Sequence, residues 1–171
     1  MQKSNRTVAV VAAGALVLSL TGFSLWSTQS ALAWDGPGGD EGCTPGYWKQ
    51  DQHFDSWPVD TTYIAGGVHP DTPLADVIGF EVPGFEGITM LEALKLNGGG
   101  ANALLRHGAA GILNALSTEV DYNMSVETAI RNIEDGLDPL VYQSSTYGDD
   151  DDLEKRKNFL EAANEQGCPL N

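Results

Sequence analysis

Only two cysteines occur in the 171 residues, Cys43 and Cys168. That excludes a four-cysteine zinc cage and a disulfide-dense miniature scaffold. Histidine is also scarce, and His53, His69 and His107 stand too far apart to give a zinc-ligand spacing. Basic residues number nine against 24 acids, for a formal net charge of −15. A chain so acidic is a poor match for nucleic acid or for an anionic membrane surface. It suits a solvated surface, a salty medium or divalent cations. No second long apolar run follows residue 33, so the rest of the chain has no candidate membrane span.

The first 33 residues have the layout of a secretory signal peptide. Lys3 and Arg6 make a positive start, Val8 to Leu20 an apolar core, and Ala31-Leu32-Ala33 a small-x-small cleavage site. A membrane anchor is the competing reading, and the short core and cleavage site favour removal. The expected organisation is a signal peptide over 1–33, a flexible Gly/Asp-rich leader over 34–42, and one exported domain over 43–171. Export makes a Cys43–Cys168 disulfide the expected state of both thiols.

The stretch Ala101 to Ser117 reads as the centre of that domain. Leu105, Ala109, Ile112, Leu113 and Leu116 share one helical face, and further small apolar residues widen it almost all the way round. A helix of that kind is buried on most sides. Gly108 and Gly111 each cost about 1 kcal/mol of helix propensity relative to alanine. Close approach of a neighbouring helix and simple tolerance are both open as reasons. Asn97-Gly98-Gly99-Gly100 predicts a tight turn into this helix.

Other elements are marked by their ends. Thr72-Pro73 predicts a short helix from Pro73 to Ile78, capped by Thr72. Thr89 and Glu92 form a capping box for a helix ending near Asn97. Ser125 caps a helix over 126–135 that Gly136 stops, and a last helix runs over about 151–166 to Gly167. Pro45-Gly46 reads as a turn. The expected fold is mostly α. It is a small single-domain bundle of about five helices around a buried central helix, with long loops and one disulfide joining its ends.

Candidate functional residues fall into three groups. Tyr47, Trp48 and Trp57 are concentrated aromatics that suit either a sugar-stacking surface or a hydrophobic lid beside the disulfide, and the lid is favoured. Arg106 and His107 are the polar pair singled out in the central helix. They suit an anion or catalytic site, or else carbonyl capping and a backbone bond, which is preferred. Asp149, Asp150, Asp151 and Asp152 could offer carboxylates to Ca²⁺. They lack the spacing of a calcium loop and fit better as acids at a helix N-terminus. No other cofactor is indicated. Asn123-Met124-Ser125 matches the N-glycosylation sequon.

CTPGYWK at 43–49, TPLADVI, TMLEALKLNGGG, ALLRHGAAGILNAL and the terminal GCPLN occur in one order. Together they resemble a family of secreted bacterial and archaeal domains marked by CTPGYWKN-type motifs. Gln50 stands where that pattern more often has Asn. The resemblance implies an extracellular module and carries over no catalytic residue. The resulting expectation is a secreted, non-enzymatic structural or interaction module of the cell surface or matrix, with a protein or polysaccharide partner. The alternatives are a glycan- or calcium-binding module and an uncharacterised hydrolase.

Overall fold

Thr44 and Pro45 start the first helix. The Tyr47 N–H donates to Thr44 Oγ1 at 3.3 Å, and proline occupies the opening position, where a missing N–H is harmless. The sequence reading placed a turn here. The cap and the proline instead make a one-turn helix, α1, Pro45–Trp48. It belongs to a computed structural model that describes residues 39–59, 61–137 and 150–170. All of these fall in one unit, Ala33–Asn171. The signal-peptide reading, the first part of the leader and Asp149 lie outside the described residues.

After a 3₁₀ helix at Asp51–Ser56 come α2 (Leu74–Ile78), α3 (Met90–Lys95), α4 (Ala101–Leu116), α5 (Val126–Leu137) and α6 (Asp150–Asn164). The α3 capping box has both its bonds: Glu92 N–H to Thr89 Oγ1 at 3.2 Å and Thr89 N–H to Glu92 Oε2 at 2.9 Å. Ser125 Oγ accepts from Thr128 N–H at 3.2 Å at the start of α5. Thr72 does not cap α2. Pro73 sits at that position, and Thr72 Oγ1 accepts from the His69 N–H instead.

The described residues form a mostly helical bundle built around α4, which packs against α1, α3, α5 and α6. Extended pairing among them is limited to isolated bridges at Glu41–Tyr122, Gly42–Gly167 and Pro73–Thr89. From Ala103 to Asn114 every α4 residue except Arg106 is buried. No described helix is long and apolar enough to cross a membrane.

Glycine sets the distance between α4 and α5. A Cβ on Gly108 would lie 2.5 Å from Ile133 of α5, and one on Gly136 would lie 2.6 Å from Leu104 of α4. Each helix thus offers a glycine to a large aliphatic side chain of the other. This corrects the expectation that Gly136 ends α5. It lies inside the helix because packing outweighs its poor propensity. Gly111 plays the same part towards Leu160 of α6, whose Cδ2 would be 3.3 Å from an added Cβ.

Cys43 and Cys168 are bonded, with Cα atoms 4.3 Å apart across 125 residues of sequence. The described end of the leader is not a free tail. Glu41 N–H donates to Asp121 O at 3.2 Å, Asp121 N–H donates to Glu41 Oε2 at 2.7 Å, and Gly42 N–H donates to Gly167 O at 2.9 Å. Two strands of chain from opposite ends of the domain are therefore held side by side at the disulfide.

Candidate functional site

The interior behind the disulfide is polar. Asn114, near the end of α4, is fully buried and uses its whole carboxamide. Its Oδ1 accepts from the Cys43 N–H at 2.9 Å and from Trp48 Nε1 at 3.0 Å. Its Nδ2 donates to Cys43 O and to Asn164 Oδ1, each at 2.9 Å. Asn164, fully buried at the end of α6, also accepts from the Tyr122 hydroxyl at 2.8 Å and donates to His107 O at 2.9 Å. Burial raises the Tyr122 pKa, so the phenol keeps its proton and remains a donor. Two asparagines thus join α1, α4, α6 and the disulfide into one satisfied network, the condition under which buried polar groups stabilise.

Outside this network an open groove of about 570 Å³ runs beside the disulfide. Thr44, Tyr47, Gln50, His53, Glu165 and Cys168 line it. The Tyr47 and His53 rings stack with centroids 3.9 Å apart and planes 23° from parallel. The Tyr47 hydroxyl donates to Leu170 O at 3.1 Å, fixing the C-terminal segment against α1.

The three aromatics singled out from sequence come together as a lid. Trp48 is 0% exposed, Trp57 3% and Tyr47 7%. Trp57 Nε1 donates to Trp48 O at 3.2 Å. A sugar-stacking row needs open ring faces, and these three do not present one. His53, to which the sequence offers no zinc-ligand spacing, is the ring that meets the groove with Tyr47.

Arg106 and His107 diverge, as consecutive helical residues must. Arg106 Nη1 donates to Leu96 O at 2.8 Å and to Gly98 O at 3.2 Å, closing the carbonyl end of α3. His107 points to α6 and is buried. Its Nε2 lies 3.7 Å from Glu161 Oε1, an ionic distance too long for a hydrogen bond, and its Nδ1 has no partner. The expected backbone bond from this ring is therefore not made. Burial lowers the His107 pKa, while Glu161 pulls it up and Arg106 and Lys157 push it down. Lys157 bridges Glu154 at 2.7 Å and Glu161 at 2.9 Å, and its bond to Glu161 keeps that carboxyl below the usual range. The site is a neutral imidazole facing a charged, lysine-held carboxylate.

Asp150, Asp151 and Asp152 open α6, at the positive end of its dipole. No group of three or more His, Cys, Asp or Glu side chains placed to hold a metal ion occurs among the described residues. Asn123 is buried, with Nδ2 donating to Gln166 Oε1 at 2.9 Å, so the sequon nitrogen is occupied in the folded chain.

Asn114 and Asn164 were the residues missed from sequence. Each had a signal. Asn114 sits among Ile112, Leu113 and Ala115, in the apolar part of the central helix. Asn164 falls on the inward stripe of Leu160 and Ala163. Compared with protein-family models, curated proteins and solved structures, the chain matches none.

Proposed function

We propose that this chain is exported and acts as a non-enzymatic structural or interaction module of the cell surface or extracellular matrix. It would belong with the secreted domains marked by a CTPGYWKN-type motif. The observation that carries the reading is where the motif residues go. Cys43 and Trp48 hydrogen-bond to Asn114, Cys43 is bonded to Cys168, and Tyr47 holds Leu170. The most distinctive residues of both ends are used on one another and on the core, as architecture requires and as a reaction centre does not. The groove between those ends is the face offered to a partner.

A glycan is the second reading, supported by the Tyr47–His53 stack with Gln50 and Glu165 in the same groove. The test has two parts. Intact-mass analysis of the exported protein should show a chain beginning at Trp34 with no free thiol. Calorimetry of that protein with Ca²⁺ and with a panel of polysaccharides should give flat traces. Saturable heat with a polysaccharide, lost in His53→Ala, would replace the structural reading with the glycan one. Retention of residues 1–33 in a membrane fraction would overturn export.

A further inference from the structure

The link between α3 and α4 contains Asn97-Gly98, the one Asn-Gly pair in the chain. Asn97 and Gly98 are exposed, and the Gly98 N–H donates to no described group. Gly98 has no Cβ to obstruct its nitrogen and holds a φ of 94°. Two polar side chains of α4 reach this segment, Asn102 at this peptide and Arg106 at the next. Asn102 Nδ2 donates to Asn97 O at 2.7 Å, and Arg106 Nη1 donates to Gly98 O at 3.2 Å.

We propose that Asn97-Gly98 is a self-modification site, at which the fold promotes conversion of the Asn97 carboxamide to a carboxylate. The Gly98 N–H gives its proton to a solvent base, and the nitrogen attacks Asn97 Cγ. A new C–N bond forms, the side-chain nitrogen takes a proton back from solvent and leaves as ammonia as its bond to Cγ breaks, and a succinimide remains. Water then opens the ring at either carbonyl, giving aspartate or isoaspartate at position 97. No other reactant is required.

The chemistry follows from where the negative charge sits. Removing the Gly98 proton leaves an amide anion whose charge is shared with Asn97 O, the atom that Asn102 hydrogen-bonds. A hydrogen bond to the charged form favours that form. The Arg106 guanidinium adds a fixed positive charge one peptide away. Asn102 and Arg106 are therefore positioning residues for this reaction.

The product also suits its surroundings. Gly100 caps α4 without a side-chain hydrogen bond. A carboxylate at 97 brings a negative charge to the start of a sixteen-residue helix and to Arg106. The isoaspartyl product adds a methylene to the main chain between α3 and α4. An exported protein that is not replaced would acquire this charge with age.

The test is timed incubation of the purified, disulfide-bonded protein in mildly alkaline buffer, followed by peptide mapping and isoaspartyl methyl-acceptor assay. Asn97 should convert ahead of exposed Asn158, faster in the folded protein than in urea, and faster as pH rises. Asn102→Ala should slow conversion severalfold in the folded protein and leave the rate in urea unchanged. Persistence of the Asn97 amide while Asn158 converts would overturn the proposal. So would a folded rate no greater than the rate in urea. That comparison stands on the unaltered chain even if Asn102→Ala does not fold.

Discussion

Asn114 and Cys43 exchange two hydrogen bonds. The Cys43 N–H donates to Asn114 Oδ1 and Asn114 Nδ2 donates to Cys43 O, each at 2.9 Å. The side chain does for Cys43 what a neighbouring strand would do. It satisfies both backbone groups of a residue that is fully buried and covalently tied to the other end of the domain. An unpaired backbone group there would incur the full desolvation penalty.

Asn114→Ala removes the partners of the Cys43 N–H and C=O and of Trp48 Nε1, and one of the hydrogen bonds of Asn164. A loss of about 3 kcal/mol or more is expected, since several buried groups become unpaired together. Asn114→Asp has nearly the same shape but turns a donor into an acceptor facing Cys43 O and Asn164 Oδ1. It should be at least as damaging at neutral pH. Denaturant titration of the oxidised variants checks both.

Replacing Cys43 and Cys168 together by alanine opens a loop of 125 residues. The chain-entropy model gives a loss of about 4 to 5 kcal/mol. The midpoint of unfolding should fall in the variant, and a reducing agent should lower the wild type by a similar amount while leaving the variant unchanged.

Gly108→Ala gains about 1 kcal/mol of helix propensity but sets a Cβ against buried Ile133. The clash outweighs the gain, because overpacking a core costs about 1–3 kcal/mol. Combining it with Ile133→Ala should cost less than the two single changes added together. Gly99→Ala, with nothing near its added Cβ, should be close to neutral.

Acid should weaken the fold through His107 first. Its folded pKa lies below the unfolded value of about 6.5, so the unfolded chain takes up the proton more readily. Its contribution is present above that value and is lost as pH falls from about 6.5 towards the folded pKa. Glu161 of α6, Lys157 of α6 and Arg106 of α4 all act on this ring, and Glu161, also depressed, adds a further loss at lower pH. His107→Gln should flatten the stability profile between neutrality and mild acid. Chemical denaturation across that range reads the slope directly.

Much of the bundle was legible because its signals are local. Thr89 and Glu92, or Ser125 before Val126, carry their capping chemistry within a few residues. The central helix declares itself by being apolar almost all the way round, and two cysteines admit one pairing. Most of the missed features depend on partners far off in sequence. Gly136 looked like a stop because its reason for being glycine is Leu104, in another helix. Pro45-Gly46 looked like a turn because a one-turn helix has no period to detect. For Tyr47, Trp48 and Trp57 the sequence favoured the lid without excluding a surface, since an aromatic cluster looks the same in a sequence whether its faces are open or covered. Asn114 and Asn164 escape a reading of the sequence because it does not reveal a partner 50 positions away.

The most direct measurement is hydrogen exchange of the Asn114 and Asn164 side-chain amides in the oxidised protein, followed by NMR. Protection of both at the level of the slowest backbone amides of α4 is the predicted result. Exchange at the rate of a solvent-exposed carboxamide, with α4 itself still protected, would contradict the account.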